Sequence, residues 1–412
     1  MSKLLKIAVR NLLRYKRRTL LTTSLVMLGV VFVLVFVSLS GSFKAMMVAQ
    51  ITDSMIGHLQ LHRKGYVASI DTLPQNLNMK AGAIRRLEKA LGEQPEIEAY
   101  SPRIKFGGMF SNFAETTNIR LNGIDPEREF ATVPLLSGRV LEGKDTIGRG
   151  EIWIPELLAR GMKVKIGDTV VIIATNQNGS VNGKQFLVAG VLGSATGPGG
   201  RDGYIHIEDA AEVLRMEEPE ISEVAVRIRD FDRLGAVSRR LTALLEKEVN
   251  PMGKPIFEVH TWEKLSPFYN IARMIDLLTL FMKVMLIAIV LVAIMNVMIM
   301  AVYERIREIG TIAAIGTRPG RILSLFLLEG LSLGVGGAHL RQHVGAAVIF
   351  VLNMSNITYD FGQQKDLLLQ ASIRPADVFA LSAIVIVISA VASLQPAFKA
   401  SRMEPIKALK HV

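Results

Sequence analysis

Long uncharged runs alternate with short basic ones along this chain, and that alternation sets its plan. Residues 284–302 (VMLIAIVLVAIMNVMIMAV) pass without a charge, which at ~1.5 Å per residue covers a hydrocarbon core of ~30 Å. Residues 19–43 are also uncharged and rich in Leu and Val. That run is too long for a signal-peptide core, despite the small-x-small pattern Ser38-Leu39-Ser40, and reads as a retained anchor. Residues 322–350 and 378–394 complete the set. The last is preceded by Arg374-Pro375-Ala376-Asp377, where proline suits a first helical turn. The pattern predicts spans at 19–43, 283–302, 322–350 and 378–394, with a short outer loop at 351–377.

Between the first two spans, residues 44–282 hold no segment apolar enough to cross a membrane. They read as a mixed α+β domain in aqueous surroundings. Residues 58–62 alternate like a strand, with His58 and His62 on one solvated face, and residues 83–91 and 231–249 read as amphipathic helices. Short β runs at 119–121, 151–154, 169–174, 185–191, 203–207 and 223–229 are separated by turn signals such as Asn178-Gly179. The expected arrangement is two lobes, the second a β-rich insertion from about Ile119 to Asp202.

Charge then orients the chain. Residues 1–18 carry +7, 303–321 carry +2 and 395–412 carry +3, together more than the whole-chain +11. Lysine and arginine collect on the cytoplasmic side of spans. Both termini and the 303–321 segment therefore belong inside and the large domain outside. Residues 1–18 read as a basic amphipathic helix on the inner leaflet. Because the basicity follows span ends, nucleic acid is not the partner it implies. Hydrophobic residues make up 50% and charged residues still 21%, which suits a membrane protein with a large aqueous domain. The absence of cysteine excludes disulfides and thiolate metal sites.

Candidate chemistry is sparse. Residues 179–185 (GSVNGKQ) suggest a phosphate loop but lack one spacer and the Ser/Thr that would hold Mg²⁺, so they read as a hairpin turn. His339 and His343 stand at i and i+4 without the glutamate or third ligand a zinc site needs. With Arg341 they read as snorkelling residues at the outer interface. No catalytic or metal residue is assigned. Glu329, inside the third span, must be paired or face water. The glycine-rich loop around Gly197, Pro198, Gly199, Arg201 and Asp202 is a candidate contact for a substrate or partner.

The run Glu304-Arg-Ile-Arg-Glu-Ile-Gly310, then Ala313-Ala-Ile-Gly316 and Phe326-Leu-Leu-Glu329-Gly330, resembles FtsX-like permeases in the MacB superfamily of ABC transporters. The tail from Gln395-Pro396-Ala397 to Ala408-Leu409 is similar to that family's C-terminal signature. Residues 151–159 with 164–168, and 186–191, are similar to the outer domain of the lipoprotein-releasing LolC/LolE branch. The resemblance covers nearly the whole chain. It departs at residues 338–343 (AHLRQH), where the family usually continues with glycine-rich apolar sequence.

The resemblance implies a bacterial inner-membrane, multi-pass subunit that works as a dimer, with a second copy or a paralogue, on two cytoplasmic ATPase subunits. ATP and Mg²⁺ would be bound by that partner, with no cofactor in this chain. Residues 303–316 would be the coupling helix, with Glu304, Arg305, Arg307 and Glu308 as contacts and Ile309, Gly310 and Gly316 also assigned to ATPase coupling. The implied activity is extraction of lipoproteins or export of amphipathic substrates through a periplasmic adaptor. The alternatives are a signal relay controlling a cell-wall hydrolase and an outer enzyme or receptor merely anchored by helices.

Overall fold

The computed structural model describes residues 2–14, 16–193, 202–355, 358–361, 364–368, 370–372 and 375–404. Helices α1 (Ser2–Arg14) and α2 (Lys16–Ile51) are followed by a π-helical turn (Thr52–Ile56) and strand β1 (Leu59–Arg63). Next come β2 (Met79–Lys80), α3 (Ala81–Gly92), β3 (Ile97–Ser111), β4 (Thr116–Ile124) and α4 (Pro126–Thr132). Then follow β5 (Val140–Gly143), β6 (Glu151–Pro155), α5 (Glu156–Gly161), β7 (Thr169–Thr175) and β8 (Val181–Leu192). After them stand β9 (Asp202–His206), α6 (Ile207–Val213), β10 (Glu220–Ile221), β11 (Glu223–Ile228), α7 (Leu234–Leu245), β12 (Phe257–Thr261) and the single turn α8 (Trp262–Leu265). The chain continues through α9 (Phe268–Glu304), α10 (Ile306–Ala314), α11 (Pro319–Met354), β13 (Thr358–Phe361), β14 (Gln364–Leu368) and α12 (Pro375–Ser401).

Two compact units result. One comprises Met1–Lys44, Arg273–Thr358 and Leu368–Val412, the other Ala45–Ala272 and Tyr359–Leu367. Among the described residues, three helices are long and apolar enough to cross a membrane; they are α2 from Thr23 onward, α9 and α12. α11 is a helix of 36 residues; its His339, Arg341 and His343 side chains lie outside those described.

In the helical unit each long helix buries one stripe. On α9, Leu286, Val290, Ile294, Met298 and Val302 are all buried, a spacing of four that keeps them on one face. They pack with Val30, Leu34 and Val37 of α2, Phe326 and Leu333 of α11, and Leu381, Val385 and Ile388 of α12. Small residues let α11 and α12 meet closely, as in other membrane bundles. A Cβ on Gly330 would stand 2.4 Å from Ser393 Cβ, and one on Gly334 would stand 2.5 Å from Ser389 Oγ.

In the second unit, six strands close into a ring in the order β3, β4, β9, β6, β8 and β7, with β7 returning to β3. The remaining strands extend from it: β11, β1 and β12 beyond β3, and β5 beyond β8. The expected two lobes are therefore not separate. β3 belongs to both, pairing β11 along its first half, β4 along its second, and β7 at Met109–Ser111. This longest strand was not among those expected, and it holds Pro102 and Gly107-Gly108, residue types that are uncommon inside strands. Gly108 has a reason to be there, since a Cβ on it would come within 2.9 Å of the Ile173 carbonyl where β7 pairs with β3.

Residues 179–185 do form the turn and start of the β7–β8 hairpin, with Gly179 at φ +80. The expectation that His58 and His62 are solvated is wrong. Both are buried, at 5% and 0% exposure. Alternation along β1 puts Leu59 and Leu61 on one core and Gln60 and His62 under a second layer, so neither face meets water. Tyr66 stacks on His62 with centroids 5.2 Å apart, and Phe231 meets His58 edge-on at 5.0 Å.

The same face of the sheet carries an ionic cluster. Arg103 of β3 donates to both oxygens of Glu129 on α4, at 2.6 and 3.1 Å, and to Glu223 of β11 at 3.0 Å. Lys105 lies 3.2 Å from Glu223 and His62 Nε2 lies 3.5 Å from it. All three members of the Arg103–Glu129–Glu223 triad are at least 98% buried. α4 is placed to supply Glu129 by Asp125, whose side chain accepts from Glu127 N and Arg128 N, and by Pro126 at the first turn.

Candidate functional site

α9 stops where its apolar sequence meets Glu304-Arg305. Arg305 leaves helical geometry at φ −114, ψ 20, and α10 then begins at Ile306. α10 ends through Gly316, whose φ of +95 suits a residue without a side chain. Gly316 N and Thr317 N close the turn by donating to Ala313 O and Ile312 O. Pro319 at the first turn starts α11. Both ends of α10 are thus backbone breaks.

α10 has two faces. Ile306, Ile309 and Gly310 are buried, whereas Arg307, Glu308, Thr311 and Ala314 are exposed. Beyond its end, Ile315 is 79% exposed. Of the residues expected to contact a partner, Glu304, Arg307 and Glu308 lie on the surface, Arg305 turns inward, Ile309 and Gly310 pack against the bundle, and Gly316 shapes the exit.

Arg305 organises the interior side. Its Nη1 donates to Glu329 Oε1 of α11 at 2.8 Å and its Nε to Glu308 Oε2 at 3.0 Å, with the guanidinium 5.4 Å from the Phe326 ring centroid. Two side chains of α1 complete the group. Asn11 Nδ2 donates to Glu329 Oε1 at 2.7 Å and Arg14 Nη1 to Glu308 Oε1 at 3.1 Å. Glu329 is 2% exposed, so the carboxylate that had to be paired is paired inside the protein. Burial alone would lower the Arg305 pKa, but Glu329 and Glu308 raise it above its ordinary value. The hydrogen bond from Arg305 chiefly holds the Glu308 carboxyl below the usual range. On the same side of the unit, Lys399 Nζ of α12 donates to Tyr303 OH at 2.8 Å.

Asn11, Arg14 and Ile315 were not among the candidates from sequence. The first two are about 300 positions from their partners, and no local pattern marks such a meeting. For Ile315 the signal was present: an isoleucine just before a helix-ending glycine lies outside the buried stripe 306, 309, 310.

In the second unit, Gly197, Pro198, Gly199 and Arg201 lie outside the described residues. Asp202 opens β9; its Oδ2 accepts from Asn122 Nδ2 at 3.3 Å and its Oδ1 lies 3.8 Å from Arg120 Nε. Among the described residues, no group of three or more His, Asp or Glu side chains is placed to hold a metal ion.

Residues 19–244 match the MacB-like periplasmic core domain and residues 280–405 the FtsX-like permease C-terminal domain. The chain is 26% identical to the lipoprotein-releasing system transmembrane protein LolC of Neisseria meningitidis, over 95% of this chain and 94% of that protein. It is 22% identical to the lipoprotein-releasing system transmembrane protein LolE of Haemophilus influenzae, over 79% and 80%. It is also 22% identical to the macrolide export ATP-binding/permease protein MacB of Agrobacterium fabrum, over 99% of this chain but 60% of that protein. Among solved structures, the periplasmic region of MacB from Actinobacillus actinomycetemcomitans aligns with 50% of this chain and 89% of its own, at 16% identity and a TM-score of 0.36. The chain therefore belongs to the FtsX-like permeases with a MacB-like periplasmic core domain.

Proposed function

We propose that this chain is the non-catalytic permease subunit of an ABC transporter, driven by ATP and Mg²⁺ bound on a cytoplasmic ATPase partner. The observation that carries the reading is α10, a short two-faced helix set between α9 and α11, with its Arg307, Glu308 and Thr311 and the flanking Glu304 and Ile315 exposed. Such a surface offers both charge and an apolar anchor to a docking cleft. In this reading α11 is a fourth span, both termini lie in the cytoplasm of a bacterial cell, and the subunit acts in the inner membrane as a dimer with a second copy or a paralogue.

Lipoprotein release is the favoured activity, because the match to LolC runs through 94% of that relative, whereas the MacB relative extends well beyond the matched part. Export of an amphipathic substrate through an adaptor is the second reading, supported by the end-to-end match of this chain to MacB. The relatives reported above are named for release or export, which leaves the hydrolase relay without support. The loop at 197–202 is the proposed substrate or adaptor contact, and its test is Arg201→Ala with Asp202→Ala in a transport assay. Fold membership alone does not assign cargo.

The deciding experiment is mild-detergent purification of the tagged protein from its native membrane, read by intact-complex mass spectrometry. A stoichiometric ATPase with an acylated lipoprotein supports release, and an ATPase with a periplasmic adaptor supports export. Absence of any ATPase, even after crosslinking, would sink the transporter reading.

A further inference from the structure

At its start α10 is joined to α9 across the break by a single backbone bond, Arg305 N to Val302 O, and at its end Gly316 N and Thr317 N close the turn. Because it is bounded by the non-helical Arg305 and by Gly316 at φ +95, the regular helical ladder does not run through from α9 or into α11, and packing and side-chain bonds add to these few backbone bonds in holding its angle. The polar bonds there form a closed circuit. Asn11 donates to Glu329, Arg305 donates to both Glu329 and Glu308, and Arg14 donates to Glu308. Asn11 and Arg14 are three residues apart and so share a face of α1. The circuit ties together α1, the α9–α10 junction, α10 and α11.

Its members are unequal. The Arg14–Glu308 pair is exposed, at 65% and 47% for the two side chains, and contributes little on its own. The Arg305–Glu329 pair is sheltered, at 11% and 3%, and a buried carboxylate deprived of its cation is strongly destabilising. Glu329 therefore sets where Arg305 sits, and Arg305 sets where Glu308 and the first turn of α10 sit. The next residue, Gly330, packs against Ser393 of α12 with no room for a side chain, which fixes the place from which Glu329 reaches.

We infer that Glu329 is a positioning residue that braces α10 against α1 and α11, so that a push on the outer face of α10 moves these helices together and is not lost at the break at Arg305. This inference rests on the reading of α10 as the ATPase-coupling helix. Glu329 is not part of the docking surface; it acts through Arg305 and Asn11.

The chain has no cysteine, so full-length protein carrying Lys6→Cys and Thr311→Cys takes spin labels at exposed positions of α1 and α10 alone. Distance distributions measured in nanodiscs without any ATPase test the brace independently of the coupling reading. Glu329→Leu should broaden the α1–α10 distribution, Asn11→Ala should broaden it less, and Glu329→Gln, which keeps an acceptor at Oε1, should stay closest to the wild type. With the ATPase added, Glu329→Leu should still co-purify with it while cargo moved per ATP falls at least ~5-fold, the low end of measured couplings. An unchanged distribution in both Glu329→Leu and Asn11→Ala overturns the brace, and Asn11→Ala decides alone if Glu329→Leu does not insert. An altered distribution with cargo per ATP unchanged overturns the transmission role. Failure of wild-type protein to bind any ATPase refutes the coupling reading and leaves the distance result to judge the brace.

Discussion

Replacing Arg103 by leucine should be among the most damaging single changes in the second unit. The guanidinium makes a two-pronged contact with Glu129 and a third bond to Glu223, and none of the three residues is more than 2% exposed. Leucine fills part of the space but leaves Glu129 buried without the cation that grips both its oxygens. Glu223 keeps Lys105 at 3.2 Å, so the harm falls mainly on Glu129. Removing one partner of a buried ionic group costs about 3–5 kcal/mol. For a unit of this size that lowers the melting temperature by roughly 6–20 °C. Removing both partners is a different perturbation: Arg103→Leu with Glu129→Leu leaves no uncompensated charge at that end and should recover more than half of the loss. The assay is thermal unfolding of full-length protein in detergent, followed by near-ultraviolet circular dichroism at neutral pH. An Arg103→Leu melting point within ~2 °C of the wild type, or a double variant no better than the single one, would refute the reasoning.

Four further outcomes are expected. Glu304→Lys with Glu308→Lys should reduce ATPase stimulation in liposomes to the basal rate while membrane insertion is retained, because it reverses the sign of the outer face of α10 and sets a cation beside Arg305 and Arg14; normal stimulation removes the coupling assignment. Ile315→Asp should weaken ATPase association roughly tenfold or more in a titrated pull-down, as expected for an exposed apolar anchor. Gly330→Ala should destabilise the helical unit by about 1–3 kcal/mol, since the new Cβ would stand 2.4 Å from Ser393 Cβ and α11 and α12 must part; an unshifted melting point counts against the close packing. Finally, burial favours the neutral form of Glu223, yet Lys105, His62 and Arg103 hold its carboxyl well below the usual glutamate value of 4.5. A lowered folded-state pKa contributes stability above the ordinary value that is lost as pH falls toward the folded one. The melting-point gap between wild type and Glu223→Gln should therefore narrow below about pH 4.5, and a gap that widens would contradict the sign.

The local geometry around the candidate site was partly legible in the sequence. The change from uncharged helix to Glu304-Arg-Ile-Arg-Glu marks a water boundary wherever it occurs, and the glycine at 316 marks an exit. The inward turn of Arg305 was not legible, because it depends on a carboxylate 24 positions away in α11. In the second unit, short β-branched runs located β4, β6, β7, β8, β9 and β11. β3 was not legible because Gly108 serves a close pairing with β7 that only the folded chain contains.

What the sequence determined by itself is whatever depends on local composition: which runs are apolar, where the basic residues collect along the chain, where many helices and hairpins begin and end, and, through motif order, the family. What the tertiary structure decided is which polar groups lose their water. Two histidines that alternate with leucines look solvated until a second layer covers the sheet, and a glutamate in an apolar helix looks costly until Asn11 and Arg305 reach it. Desolvation and charge pairing are properties of neighbours in space, and residues hundreds of positions apart become neighbours only when the chain has folded.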